Sequence, residues 1–457
     1  MFAALLVLGC PQQNTPAPPD LPAVGGPVSL IRIPVGGGTV EAYDPDSLVE
    51  SVWSSRVPFP PIREVLGVNL EAKLLVAVDT LKNLVAVDLE SRGLRNQAAG
   101  VELATMVPDG SVYTVNLANR IVRAGAGTPV PYRTTLPMRP VFQVGTLGDR
   151  YVAIIGTKPP KMLVMNAERQ LGSFEVSPGE AAATYWGDLV AVAADKQVAI
   201  YDTEEPFRVR TIATAAHARH VIFSPSGHRI YVGRDDPTIV VYDRYTLAKV
   251  SQIELPGIPV RLRTDLSGRW LLARPTAGDS SWIVDLATGN YVATVQSEWE
   301  EDLPTVAGGS TVVIRRDGDI IAQRMGPKQT ELGRIIGGAK DRWVVTSWLP
   351  RDRQSRAVAA AESLLIAQDS LLTPGPSTGA IGERLYLQVS SSQNPEWSKD
   401  LAKQLTTGGY PARVLDPGTP DDGYRVVIGP YETRDAAEEA GRKLGRPYFI
   451  LTNPTRN

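Results

Sequence analysis

Cysteine occurs once in the 457 residues, at Cys10, so the chain cannot form a disulfide of its own. Histidine occurs three times, at His217, His220 and His228, close together in sequence. No cysteine joins them, and groups of this kind more often fix a turn than hold a metal, so no metal or other cofactor is expected. No segment after the N-terminus has the about twenty unbroken apolar residues of a membrane-spanning helix. The net charge is only −2 at pH 7, which gives no general attraction to nucleic acid. Catalytic patterns are equally sparse. Gly36-Gly37-Gly38 lacks the Lys-Ser/Thr and the following helix of a phosphate-binding loop. Asp and Glu are plentiful, but no glycosidase pair can be chosen from them without geometry. No catalytic residue is assigned, and whether the chain is an enzyme stays open, with the balance against.

Gly (41) and Pro (37) are abundant and Phe (7) is scarce, which points to short strands and many turns. A strand ending in Asp recurs at Ala42-Tyr43-Asp44, Ala86-Val87-Asp88, Ile200-Tyr201-Asp202, Val241-Tyr242-Asp243 and Ile283-Val284-Asp285. Weaker copies lie at Ile121-Val122-Arg123, Leu163-Val164-Met165-Asn166 and Ile320-Ile321-Ala322. The spacing of roughly forty residues is the period of a four-stranded propeller blade. Arg219–Phe223, Arg229–Gly233, Thr238–Tyr242 and Lys249–Leu255 read as the four strands of one unit. Each Asp is expected to bind backbone amides in the turn to the fourth strand, a structural task. Phe-Ser-Pro-Ser-Gly, then Arg-Ile-Tyr-Val-Gly and Ile-Val-Val-Tyr-Asp, resembles WD40-like and YVTN-type propellers. The expected all-β propeller has seven to eight four-stranded blades, eight by count. Arg342–Trp348 would close the ring from its far end, so that no sheet edge is left open.

At the N-terminus, Phe2–Gly9 is a short apolar run leading into Val7-Leu8-Gly9-Cys10, with no Lys or Arg before it. It resembles a bacterial lipobox, which implies lipidation of Cys10 as the mature N-terminus. The Pro-rich stretch that follows favours an extended tether. Attachment is therefore expected through a lipid anchor and not a span.

The last residues alternate as strand, helix, strand, strand, helix, strand. Leu385-Tyr386-Leu387-Gln388-Val389 is followed by a Ser-rich turn and a helix to Leu405. Gly409-Tyr410-Pro411-Ala412-Arg413-Val414 comes next, then Tyr424 to Tyr431, a helix to Leu444, and Tyr448-Phe449-Ile450-Leu451. This is a small α+β split-βαβ plan, ferredoxin- or RNP-like, without the aromatic-basic signature of RNA-binding sheets. The Leu-Gln-Val first strand, the Gly-Tyr-Pro-Ala turn and the Tyr-Arg-Val…Gly-Pro-Tyr segment resemble the SPOR (sporulation-related repeat) family. That resemblance implies binding of peptidoglycan glycan strands stripped of stem peptides. Alternation turns Leu385, Leu387 and Val389 toward the helices, and Tyr386, Gln388 and Ser390 toward an open face with Arg425 and Val427. With Ser391, Ser392 and Arg413 at the rim, these form the expected glycan site. Where the family usually has Gly-Ser-Phe after the first strand, this chain has Ser390-Ser391-Ser392; Trp397 and Tyr431 are the aromatics near enough to compensate.

The expected organisation is a signal and lipobox at 1–10, a tether at 11–27, a propeller at 28–350, a linker at 351–383 and the SPOR-like domain at 384–454. The expected function is that of an envelope lipoprotein on the periplasmic side of the outer membrane, at or near the septum. It binds glycan strands through its last domain in division or wall remodelling, with an unidentified protein partner on the propeller and no nucleic acid. The alternative is a propeller hydrolase or lyase targeted to the wall by the same domain.

Overall fold

Blade sheets in this chain are apolar on both faces, because each is sandwiched between two others. All six residues of the strand Leu74–Asp79 are buried, whereas the outermost strand of the same sheet, Leu94–Ala98, is largely exposed. Continuous apolar runs mark strands covered on both sides. The computed structural model describes residues 28–107, 110–124, 128–146, 149–326, 329–351, 353, 384–392, 395–407, 409–417, 424–444 and 448–452. Cys10, the tether and nearly all of the segment 351–383 lie outside them. Among the described residues no helix is long and apolar enough to cross a membrane.

Eight four-stranded antiparallel sheets form the propeller. Blade 1 joins Arg342–Thr346 to Ser29–Ile33, Glu41–Asp44 and Ser47–Ser54. Blades 2 to 8 then follow in chain order, each from innermost to outermost strand: Ile62–Ala98, Val101–Thr135, Pro140–Glu175, Glu180–Ala213, Ala218–Glu254, Pro259–Gln296 and Thr305–Ile335. The eight third-strand segments picked out by their repeat all lie on the third strands of these sheets. A separate apolar cluster fills each of the eight gaps between neighbouring blades. The cluster between blades 8 and 1, with Leu30, Leu48, Leu303, Ile320 and Trp343, closes the circle.

Closure is reinforced by a buried ion pair. Arg315, 1% exposed, donates to both oxygens of Asp302 at 2.6 and 2.8 Å and to the carbonyls of Ala339 and Asp341, both at 2.9 Å. Asp302 also accepts the Trp343 amide at 2.7 Å, at the start of the strand that completes blade 1. Burial works to raise the Asp302 carboxyl, but the Arg315 pair and this amide outweigh it and hold the group below its ordinary value.

The turn role of the third-strand Asp holds at most sites. Asp88 accepts the amides of Glu90 and Ser91 at 2.9 and 2.8 Å, and Asp243 those of Tyr245 and Thr246, both at 2.9 Å. Asp44 and Asp285 each hold one amide, of Asp46 and Ala287. Asp202 differs: its side chain pairs with Arg210 at 3.2 Å.

The ninth sheet has the order Ala412–Leu415, Tyr424–Tyr431, Leu385–Ser392, Phe449–Thr452. Helices α1 (Pro395–Thr407) and α2 (Arg434–Leu444) cover one face of it. Leu387, Val389, Val426 and Ile428 meet Leu401, Leu405, Ala437 and Leu444 in that core. Gly441 of α2 lets the helix lie against Tyr448: a Cβ there would come within 2.2 Å of the ring. The three serines after Val389, read from sequence as a turn, continue the strand to Ser392.

Candidate functional site

The helix-free face of the ninth sheet is built from alternate residues of its strands. Gln388 pairs with Val427, Val427 with Arg413, and Gln388 on its other side with Phe449, so one row crosses the whole sheet. Tyr386, Leu415 and Val427 pack together, with Leu451 against them. The Arg413 guanidinium lies 4.8 Å from the centre of the Tyr386 ring, within cation–π range. Leu415 pairs with Arg425, and Arg425 with Ser391.

This face is more closed than alternation alone implies. Tyr386 is 8% exposed, Gln388 6% and Val427 0%, because Arg413, Leu415 and Leu451 lie over or beside them. Arg413 itself is exposed and Arg425 half-buried. The Arg425 Nε is buried and has no hydrogen-bond partner among the described residues. Ser390 is where the simple alternation fails. The pairing slips between Gln388 and Ser390, so Ser390 stands opposite Val426, which faces the helices. A bulge of this kind adds one residue and reverses the faces beyond it. Ser390 is accordingly buried, and Ser391 takes the place opposite Arg425. The side chains of Ser391, Ser392 and Trp397 are outside the described set. Tyr431, half-buried, packs against the helix-side core, and burial, with Tyr410 adding, pushes its phenol up to about 12. Leu415 and Leu451 belong to this face although sequence reasoning did not name them; alternation from Arg413 and Ile450 was the available signal.

A second concavity, about 490 Å³ in volume, lies among the inner strands of several blades. Glu64, Tyr185, Phe223, Asp265, Glu301 and Trp343 are among its walls. Asp265 is committed to the fold. It accepts the Trp270 amide at 2.7 Å and the Ser267 amide at 3.1 Å, and burial pushes its carboxyl up to about 6 against those bonds. Asp302 is committed to Arg315. Glu64 is different: burial raises its carboxyl, Arg63 opposes the rise and Glu301 adds to it. Arg263, pushed down to about 10 by burial, stacks 5.0 Å over Trp299 and donates to the carbonyls of Glu300, Glu301 and Pro304.

The three histidines take different neighbours. His217 faces Asp195 at 3.7 Å, His220 is half-buried near Arg261, and His228 faces Glu438 at 3.2 Å. Among the described residues no group of three or more His, Cys, Asp or Glu has the arrangement of a metal site.

Residues 382–449 match the SPOR domain model. The SPOR domain thus covers the whole sheet-and-helix core just described except its last few residues. SPOR domains bind peptidoglycan, which supports a glycan-strand partner and a place in the cell envelope. The propeller is similar to the crystal structure of Citrobacter koseri AztD, at 12% identity and a TM-score of 0.51, over 70% of this chain and 98% of that one. Apo AztD from the same organism aligns over the same shares at 12% identity with a TM-score of 0.50. At that identity the likeness speaks for the fold alone. No curated protein matches the sequence.

Proposed function

We propose that the protein is an envelope lipoprotein that reads denuded peptidoglycan glycan strands with its SPOR domain while its propeller scaffolds a protein partner during division or wall remodelling. The observation that carries this reading is the coincidence of the SPOR match with a helix-free sheet face bearing a ring, an amide and two guanidinium groups. With the Tyr386 ring and the Gln388 amide lying beneath Arg413 and its neighbours, the groups this face offers a sugar hydroxyl at the surface are the two guanidinium groups. The lactyl carboxylate of muramic acid suits Arg413 or Arg425, since charge-assisted pairs with arginine are the stronger hydrogen bonds. The unpartnered Arg425 Nε is a donor that a ligand or water would complete. Anchoring through Cys10 and the domain limits given by the sequence are part of the same proposal.

Arg413→Ala and Arg425→Ala test the face. Each is expected to weaken cosedimentation with amidase-treated sacculi by roughly 1–3 kcal/mol, while circular dichroism stays unchanged. Unaltered binding by the double variant would move the site elsewhere. A second reading, a wall-targeted propeller enzyme, is favoured by one observation: Glu64 and Glu301 line the central concavity, and among the described residues neither carboxylate accepts a hydrogen bond.

A further inference from the structure

We infer that the SPOR domain is docked on the propeller through a polar latch between α2 and blade 6, in which Glu438 and Asp435 meet Arg229 beside buried His228. His228 has no exposed surface and Glu438 is 7% exposed, though they belong to different domains. His228 Nδ1 lies 3.2 Å from the Glu438 carboxylate, and Arg229 Nε 3.9 Å from the same group. Arg229 also reaches Asp435, one helical turn before Glu438, at 3.4 Å. The Arg434 guanidinium sits 4.0 Å from the centre of the Tyr245 ring. Three residues on one side of α2, Arg434, Asp435 and Glu438, thus meet one turn region of one blade.

The chemistry explains why these groups belong together. A carboxylate taken out of water needs compensating charge or polar groups, and the Arg229 guanidinium and the His228 ring both stand within 4 Å of Glu438. Arg229 is aimed by its own blade: Asp243 holds it at 3.0 Å while its other oxygen fixes the amides of Tyr245 and Thr246. Blade 7 has a comparable pair, Arg269 and Asp285 at 2.5 Å, so an arginine held by the third-strand Asp is a feature of the blades. What blade 6 adds is His228 and Tyr245, which meet α2 alongside Arg229. The contact uses the helix side of the SPOR domain. The face carrying Tyr386, Arg413 and Val427 takes no part in it, so the inference stands whether or not that face binds glycan.

The test uses the full chain with Cys10→Ser, which removes the sole cysteine, and adds Tyr245→Cys and Arg434→Cys. A short bismaleimide should link the two cysteines within one molecule. Adding Glu438→Arg should lower the yield roughly tenfold, as a change of about 1.4 kcal/mol in docking would. Glu438→Gln is the parallel variant, read in place of the reversal if circular dichroism shows that Glu438→Arg unfolds the domain. Absence of the link, links only between molecules, or a yield indifferent to the Glu438 substitution would each overturn the latch.

Discussion

His220 shows how a single side chain makes the propeller sensitive to acid. It lies on the inner strand of blade 6, and burial, with Arg261 adding, pushes its imidazole down to about 4. An unfolded His titrates near 6.5. Between those values the unfolded chain binds the proton and the folded chain does not, so stability falls as pH falls from about 6.5 toward 4. His220→Gln should therefore remove on the order of 1–3 kcal/mol of the stability lost between pH 7.5 and pH 4.5. Melting curves of both proteins at the two pH values measure it, and an equal loss in the variant would contradict the burial argument. Residue-scale features of this kind were the least readable from sequence. The three histidines looked like one cluster along the chain, yet each meets a different partner, because the blade turns them toward an inner strand, a neighbouring loop and another domain.

At the scale of the element, the blades were the most readable part of the chain. The third strands announced themselves because they are buried on both faces and end in a residue that fixes the next turn. Blade 1, made from both ends of the propeller segment, was readable because too little chain precedes Ala42-Tyr43-Asp44 to begin a blade; Ser29–Ile33 supplies one of the two missing strands and Arg342–Thr346, from the far end, the other. The ninth sheet was readable in order and in its helix-facing residues. The bulge at Val389 and Ser390 was not, since nothing in a run of serines marks where a ladder slips, and it is this slip that buries Ser390. Ring closure supplies a quantitative test. Asp302→Ala leaves Arg315 buried without its carboxylate, which should cost about 3–5 kcal/mol. A denaturant titration of the variant should show an earlier midpoint, and no change would mean that closure rests on the apolar cluster between blades 8 and 1 alone.

For the whole molecule, the account joins an expected anchor, a closed eight-bladed ring and a SPOR domain held against blade 6. The anchor belongs to residues outside the described set. Its test is fractionation: Cys10→Ser should move the protein from the membrane fraction to the soluble one, and equal retention would refute lipidation as the means of attachment. Docking of the SPOR domain through α2 was invisible in sequence because Glu438 and His228 are far apart in the chain, and an acidic helix face ordinarily reads as solvated. The propeller's central concavity leaves a choice between scaffold and enzyme that one experiment can read together with the central claim. The full chain is incubated with purified sacculi, with and without prior amidase treatment, and both the pellet and the released material are analysed. The account predicts strong retention on amidase-treated sacculi, weak retention on untreated ones, and no release of glycan fragments. Equal retention on both would contradict recognition of denuded strands, and release of soluble fragments would replace the scaffold with a wall-degrading propeller.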